Sequence, residues 1–481
     1  MFNIFTHFGA KNLFSAVEAE EHGWRRRVQA QPYAQTAILA REIATGNLWN
    51  NVGDYLDLIE REGVDGAELK GSKAIDVYMA NIFYATDGVT SHLFSRGTEA
   101  LKGEEQSRRM ASNSSETGDL VNTYFRLDYK DYLLLFEKVK TAALKVIDPK
   151  GQNKKSGPGR VRLGQTVLNG FYGGNEIKDW GFKRFIETKQ EYVAGKFTAV
   201  NAPSSTRLAG NILEAEQGLE GKVKGADAGF VTGKTTDGKG EMKCAYLDQG
   251  AASECMDQIF AGMDTTGDTL SYLIYHLSLP RNRSLQESLH NELRALSLPK
   301  DHAQPLTQQQ LNSIITAPYI DALVKETLRA FAAGDTALQR IVPRGGRVLD
   351  NYFLPEGTTI GGAPLIVNYS EEVFKMHDSN GQELSVTDWH PSRWLLASPE
   401  QHLEMDRRLW TFGSGGRGCI GKNLAVLEMK LLLAGLYSTY ESLVDDKADL
   451  TIAHDHWTNR TTFRDVPWCK EAKGVIAFRA L

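Results

Sequence analysis

The sequence contains few cysteines and no long apolar stretch. Only four cysteines occur among 481 residues, at spacings that fit neither a disulfide framework nor a zinc site, which favours a reducing compartment. No run of 18 apolar residues is present, and the first residues lack the pattern of a secretory signal. The chain as given therefore has no predicted spanning helix, and attachment to a membrane through a surface patch stays open.

The chain also lacks a strong charge imbalance. Its 55 basic and 60 acidic residues give a formal net charge of −5, so no global field attracts nucleic acid or anionic lipid. Lysines between 222 and 243 are interspersed with acids and glycines and lack an aromatic platform, so we expect no nucleic-acid partner. What the chain does have is 41% hydrophobic residues, enough for a sizeable core.

Helical patterns dominate the sequence. Apolar residues recur at three- and four-residue spacing, and they predict helices over 78–83, 132–136, 248–279, 318–330 and 422–437. β-Branched residues and turn formers predict short strands between 341 and 369.

Two stretches rich in turn formers and charge, 148–160 and 221–240, predict surface loops. The sequence therefore predicts a mainly α protein with a small β portion late in the chain, organised as a single domain over residues 1–481.

One cysteine, Cys419, lies in a glycine-rich loop directly before a strong helical pattern. Residues 412–421 are Phe-Gly-Ser-Gly-Gly-Arg-Gly-Cys-Ile-Gly. Glycines let backbone N–H groups turn toward the sulfur, and a helix N-terminus adds positive potential, so we expect the thiolate to be favoured over the thiol. Such a sulfur is suited to binding iron. A buried cysteine in an ordinary environment is the better interpretation for Cys244, Cys255 and Cys469.

The fixed positions Phe-x-x-Gly-x-Arg-x-Cys-x-Gly resemble the heme-binding signature of the cytochrome P-450 family. The resemblance implies heme b as the cofactor and the mainly α fold of that family. It further implies that Cys419 is the axial ligand of the heme iron, that Phe412 packs near this ligand, and that Arg417 faces a heme propionate.

The long predicted helix contains an acid next to an alcohol. Residues 261–265 are Ala-Gly-Met-Asp-Thr; their glycine and threonine predict a locally weak helix, and Thr265 can bond back to the Ala261 carbonyl. By itself the pattern favours a solvent-facing aspartate with a threonine neighbour. It also resembles the oxygen-activation motif of the family, which implies that Thr265 assists O2 activation and that Asp264 relays protons.

A glutamate and an arginine lie three residues apart on another predicted helix. Periodicity alone favours a solvated ion pair for Glu326 and Arg329. The spacing Glu-x-x-Arg resembles the buried pair of the family, and Arg393, in Trp-His-Pro-Ser-Arg-Trp at 389–394, matches the third member of that network. The resemblance assigns these residues to folding and heme retention.

The two propionates of a heme need cationic or hydrogen-bonding partners. Arg340 is similar to the arginine that follows the Glu-x-x-Arg helix in the family, and His22 with Arg26 resembles the family helix that meets the propionates. A plain basic helix face is an equal alternative for these two. The resemblance places an anchor, early helices and most of a small sheet ahead of that helix, whereas 21 residues precede His22, so we expect an N-terminally shortened fold.

The resemblance implies a monooxygenase that inserts one atom of O2 into a lipophilic small molecule, in secondary-metabolite biosynthesis or xenobiotic oxidation. NADPH would supply electrons through a separate flavoprotein reductase, because the chain has no flavin fingerprint. Family members typically lie on the endoplasmic reticulum membrane and face the cytosol, and the sequence does not fix the location. Substrate contacts are expected from Phe260, Ala261, Thr336, Ala337 and Thr461.

Two alternatives stay open at this point. The first keeps the heme and changes the chemistry to that of an isomerase, dehydratase or peroxygenase. The second is a non-catalytic, shortened relative. The intact pair of Asp264 and Thr265 favours oxygen activation over the first alternative.

Overall fold

The computed structural model describes most of the chain outside the ranges 109–174 and 195–240. The described residues are 7, 10–65, 70–94, 96–108, 111, 175–194, 212, 241–334, 338–444, 453–455, 460–462 and 475–481. The helix predicted at 132–136 and the loops predicted at 148–160 and 221–240 lie outside them. The single-domain organisation stays a prediction.

Helices make up most of the described chain, as predicted. In chain order they are α1 (Ala19–Ala30), α2 (Gln35–Thr45), α3 (Asn47–Glu62), α4 (Val77–Phe94), α5 (Asn175–Val193), α6 (Glu241–Ser278), α7 (Arg283–Leu296), α8 (Gln308–Thr316), α9 (Pro318–Ala330), α10 (Pro364–Asn368), α11 (Glu371–Phe374), α12 (Ser392–Leu396), α13 (Pro399–Arg408) and α14 (Lys422–Thr439). The α9 bounds match the predicted ones, because Pro318 is favoured at a first helical position. Helix α6 begins seven residues before its predicted start and ends just before Pro280.

The strands are short. They are β1 (Val64–Asp65), β2 (Lys73–Asp76), β3 (Leu338–Ile341), β4 (Arg347–Leu349), β5 (Tyr352–Leu354), β6 (Thr359–Gly362), β7 (Met376–His377), β8 (Glu383–Leu384), β9 (Tyr440–Val444), β10 (Ala453–Asp455), β11 (Arg460–Thr462) and β12 (Val475–Ala480). Strands β3 and β6 pair antiparallel, as do β4 with β5, β7 with β8, and β10 with β11.

The largest described sheet joins distant parts of the chain, in the order β1-β2-β12-β9. Ile75 of β2 is the antiparallel partner of Ile476 in β12, which in turn pairs with Val444 of β9. The prediction that strands occur only late in the chain is therefore wrong. Strands of two and four residues are too short to show an alternating pattern, and they are defined only by pairing, of β1 with β2 and of β2 with β12.

Glycines on α6 allow close packing against α4. A Cβ atom at Gly262 would lie 2.8 Å from Cγ2 of Val89, and one at Gly267 would lie 2.6 Å from Cδ1 of Ile82. The helix continues without interruption through this segment, so the predicted local weakness does not break it. Here the glycines bring two helices together, which offsets their poor helix propensity.

The hydrophobic core is one buried cluster, and α3, α4, α6, α9 and α14 all contribute apolar residues to it. Residues from Leu427 to Tyr437 on α14 are buried on every side, which is typical of a central helix. Within the part of the chain that the structure describes, no helix has both the length and the apolar character needed to cross a bilayer.

Candidate functional site

The cysteine loop, residues 412–421, presents the Cys419 sulfur at the start of α14. Gly413 and Gly415 have φ angles of 63° and 65°, a left-handed conformation that glycine adopts at little cost. The backbone N–H of Cys419 donates to the carbonyl of Phe412 at 2.8 Å and closes the loop. The Cys419 side chain is exposed at one face, so a ligand can reach it, whereas Cys255 is buried as predicted.

Protein groups alone do not favour the Cys419 thiolate. Part of the sulfur's surface is open, but desolvation by the surrounding protein raises the pKa of this thiol, and the N–H groups of Gly421 and Lys422 and the charge of Arg26 oppose that effect without cancelling it. Without a metal, desolvation thus acts against the thiolate that the N–H donors favour, and the sequence shows those donors but not the desolvation. A metal cation at the sulfur would supply the positive charge that a thiolate needs.

Four basic residues from three parts of the chain lie near one another, and we call them the basic cluster: His22, Arg26, Arg340 and Arg417. Burial, followed by the charges of Arg417, Arg26 and Arg340, lowers the pKa of His22 to about 4. Burial and then the charge of Arg340 lower the pKa of Arg417. His22 is therefore neutral at physiological pH, and three like charges share one region.

Hydrogen bonds from the basic cluster reach the backbone rather than carboxylates. Arg26 donates to the carbonyl of Gly418 at 2.6 Å. Arg417 donates to the carbonyls of Ala16 and Val17 at 2.6 and 2.9 Å, which uses two of the five guanidinium N–H donors.

The third arginine, Arg340, is exposed and donates to the carbonyl of its neighbour Gln339 at 2.8 Å. Among the residues that the structure describes, no carboxylate forms an ion pair with any member of the basic cluster.

This donor set fits a group that carries both a metal cation and carboxylates. The thiol of Cys419 is a metal ligand once deprotonated, and arginine guanidinium groups suit carboxylates because their planar forks donate two parallel bonds. Heme b has an iron and two propionates, so the residues present fit heme b.

The acid–alcohol pair lies on a stretch of α6 that is open on one side. Residues on either side of this stretch are buried, whereas Ala261 and Thr265, one turn apart, are exposed. The Thr265 hydroxyl donates to the Ala261 carbonyl at 2.7 Å, the bond that the sequence predicts. Asp264 is half-buried, and the half-buried ring of Phe260 stacks on His7 with 5.4 Å between ring centroids. The exposed face gives a ligand access to the threonine.

Glu326, Arg329 and Arg393 form a fully buried network, with no solvent exposure of their side chains. Arg329 binds both carboxylate oxygens of Glu326, at 2.7 and 2.9 Å, and Nε of Arg393 lies 3.5 Å from the same carboxylate. Burial raises the pKa of Glu326, but the two arginines outweigh it, so the net shift is downward. The solvated pair favoured by periodicity alone is excluded.

The network continues to the cysteine loop through Asn368, which sequence reasoning missed. Arg329 donates to the Asn368 carbonyl at 3.1 Å. The side chain of Asn368 accepts from the backbone N–H of Trp410 at 2.9 Å and donates to the Thr411 hydroxyl at 2.9 Å. Asn368 ends the short helix α10, in a stretch where the sequence predicts short strands, and a single asparagine carries no pattern that could have revealed this link between the buried charges and the loop.

Three expected substrate contacts cannot be placed in the same way. Thr336 and Ala337 lie outside the residues that the structure describes. Thr461 belongs to β11, where its backbone pairs with His454 of β10.

Comparison with known proteins finds similarity to the cytochrome P450 family and to fungal proteins. The family model for cytochrome P450 matches residues 228–460. The chain is 24% identical to the cytochrome P450 monooxygenase FGM1 of Gibberella zeae, over 91% of this chain and 72% of that protein. It is 30% identical to the cytochrome P450 monooxygenase esdpH of Penicillium shearii over 43% of this chain and 39% of the relative. It is also 32% identical to pisatin demethylase of Fusarium vanettenii over 41% and 35% of the two chains.

In the relatives that are at least 30% identical, the matched stretch spans between 20% and 39% of their length. The matched part of this chain contains α6, α9, the cysteine loop and α14, whereas His22 and Arg26 lie outside it. Residues 228–460 thus match the cytochrome P450 family, whose cofactor is heme b, and the chain is similar to fungal members of that family.

Proposed function

We propose that the chain is a heme-thiolate monooxygenase that inserts one oxygen atom of O2 into a lipophilic small molecule. The observation that supports this most is the cysteine loop with its basic cluster: an accessible sulfur that receives backbone N–H groups lies in the same region as three arginines without a described carboxylate partner. Thiolate ligation of heme iron favours cleavage of the O–O bond.

In this proposal Cys419 binds the iron, and Phe412 covers the loop beside it. Arg26, Arg340 and Arg417 hold the propionates, and neutral His22 donates a ring N–H to one of them. Heme, when bound, supplies the electron transfer and the activation of O2. The buried network of Glu326, Arg329 and Arg393 keeps the cysteine loop in place through Asn368.

We assign proton handling to α6. The Thr265 hydroxyl is held at the open face by the hydrogen bond that it donates to the Ala261 carbonyl. Its oxygen lone pairs can accept a hydrogen bond from a proton donor. Asp264, half-buried at the preceding position, changes protonation state and passes protons from solvent toward this face.

The substrate class follows from the same face. Ala261 and Phe260 offer an apolar surface, which suits a lipophilic compound, and Thr336, Ala337 and Thr461 stay predicted contacts of that compound. The relatives are fungal, and the name of one of them describes demethylation of pisatin, which supports a substrate among natural products or xenobiotics. We propose NADPH as the electron source, through a separate flavoprotein reductase.

Spectroscopy of the full-length protein tests the proposal. The ferrous carbonyl complex of the wild-type protein should show the red-shifted Soret band of a thiolate ligand, and Cys419→Ala should abolish that band completely. Cys255→Ala, which removes another thiol from a buried position, should retain it. A red-shifted band in Cys419→Ala, or its absence in heme-saturated wild-type protein, would contradict the proposal.

Turnover assays test the role of the acid–alcohol pair. Thr265→Ala should keep the Soret band and continue to consume NADPH with a reductase, while most of the reducing equivalents fail to appear in product. An unchanged ratio of product to NADPH would remove Thr265 from the proposed role.

A further inference from the structure

Helix α1 is polar on the side that the protein buries. Glu21, Arg25 and Gln29 recur every four residues and are all buried. A helix without an apolar face gains little from hydrophobic packing, and its buried polar groups must be paired to be tolerated. What holds α1 in place is therefore its hydrogen bonds.

The partners are two buried residues one turn apart on α6, Glu254 and Gln258. The Arg25 guanidinium forms an ion pair with Glu254 and a second one with Glu21 at 3.2 Å. The Gln29 amide donates to Glu254 at 2.8 Å and accepts from Gln258 at 2.9 Å. We call these five residues the α1–α6 zipper.

Glu254 also holds the segment that precedes α1. Its carboxylate accepts the backbone N–H of Leu13 at 2.9 Å. A few residues later in the same segment, the carbonyls of Ala16 and Val17 receive the Arg417 guanidinium. One buried carboxylate on α6 thus anchors a segment whose other end contacts the cysteine loop.

His22 and Arg26, on the neighbouring side of α1, face the cysteine loop. They follow Glu21 and Arg25 by one position each, so the rigid helix fixes this pair relative to the zipper residues. Arg26 reaches the Gly418 carbonyl, but the charges of Arg340 and Arg417 repel it. The bond to Gly418 and the zipper both act against this repulsion.

We infer that Glu254 is a positioning residue for heme, because by holding α1 through Arg25 and Gln29 it places His22 and Arg26 where the propionates bind. This inference rests on the proposed function and extends it to a residue that touches neither the heme nor the substrate.

Asp257 provides a matched control. It lies one residue before Gln258 on the same helix and is also buried, but it accepts a backbone N–H from Phe14 and forms no described hydrogen bond to α1. Burial and then the charge of Glu254 raise its pKa well above the ordinary value, against the opposing charge of Arg25. Asp257→Asn therefore replaces a buried acid on α6 by an amide of similar shape and leaves the hydrogen bonds of the zipper in place.

The experiment compares the full-length heme-bound variants Glu254→Gln, Arg26→Gln, their combination, and Asp257→Asn. The readouts are the rate of heme transfer to excess apomyoglobin and the reduction potential of the heme iron. Loss of one charge-assisted hydrogen bond corresponds to about tenfold faster heme loss for Arg26→Gln. Glu254→Gln should also accelerate heme loss, and it should shift the reduction potential in the same direction as Arg26→Gln does. The double variant should show much less than the product of the two effects, because both act on the same contact.

Several results would overturn the inference. If Glu254→Gln lowers only the thermal midpoint while Arg26→Gln changes heme loss and potential, the zipper is merely structural. Equal effects of Asp257→Asn and Glu254→Gln would show a general response to changes in α6. If Arg26→Gln has no effect although the thiolate Soret band is present, the propionates lie elsewhere, whereas loss of that band would count against the proposed function itself.

Should Glu254→Gln fail to fold, Gln29→Ala tests the same idea, because it removes the two hydrogen bonds of Gln29 in the zipper and leaves the ion pair of Arg25 and Glu254 intact. Heme loss should then accelerate by a smaller factor in the same direction. An unchanged rate in Gln29→Ala would also overturn the inference.

Discussion

Two charged regions lie beside the cysteine loop, and they differ in one respect. The network of Glu326, Arg329 and Arg393 contains its own carboxylate, and its charges are fully buried. The basic cluster around His22 and Arg417 has no carboxylate partner among the described residues, and the charges of its arginines contribute to lowering the pKa values of His22 and Arg417. The first region contains an acid that pairs with its arginines, and the second contains none among the described residues.

This difference separates a group that holds the fold from a group that receives a ligand. A buried ion pair is costly to break, since removing one partner leaves an uncompensated charge. A cluster of like charges instead gains when an anionic group binds. The charge balance of a buried region thus indicates whether its partner belongs to the protein.

The largest effect should come from removing the carboxylate of the first region. Glu326→Ala leaves two arginines buried without their acid, and we expect a loss of about 3–5 kcal/mol in the free energy of unfolding, measured by urea denaturation. Glu404→Gln, in a surface pair with Arg408 at 2.8 Å, is the control and should cost less than about 1 kcal/mol. Similar costs for the two variants would erase the distinction between the regions.

A smaller and opposite pattern is expected in the basic cluster. Arg26→Gln loses the bond to Gly418 but relieves repulsion, so the free energy of unfolding of the heme-free protein should change by less than about 1 kcal/mol. Heme loss should nevertheless become about tenfold faster. Arg27→Gln, at the next and exposed position of α1, should change neither quantity. A large loss of heme-free stability in Arg26→Gln would place this residue with the structural network.

The smallest effect concerns one titration. In the heme-free protein His22 should titrate with a pKa of about 4, because burial and three arginine charges disfavour its cation. Carboxylates beside it should raise that pKa, so the ring gains a proton more readily in the complex. NMR titration of the ring resonances, without heme and with zinc protoporphyrin, measures the change. A pKa that stays the same or falls on binding would show that no propionate lies near His22.

Local pattern and motif spacing predicted much of this protein. The α9 bounds, the bond from Thr265 to Ala261, and the heme-binding family all followed from residue types at fixed intervals. The β1 and β2 strands could not be predicted, since short strands have no periodicity of their own and β12, the partner of β2, lies almost 400 residues away. Asn368 was missed because its role comes from two contacts to distant backbone.

Burial was the quantity that sequence reasoning handled worst. Periodicity placed Glu326 and Arg329 on a solvated face, and helix composition left His22 and Arg26 equally open to a surface role. The loop composition also suggested a thiolate at Cys419, whereas burial raises the pKa of the thiol. Each of these errors concerns a polar group whose surroundings come from other parts of the chain.

The sequence by itself determined the family resemblance, the cysteine that serves as candidate iron ligand, and the bounds of α9, because those depend on residues close together in the chain. Only the tertiary structure decided which charges are buried and how they are paired, including the position of Glu254 against Arg25. The energy of a charge depends on solvent exclusion and on neighbours brought in from distant segments, and neither is encoded in local spacing.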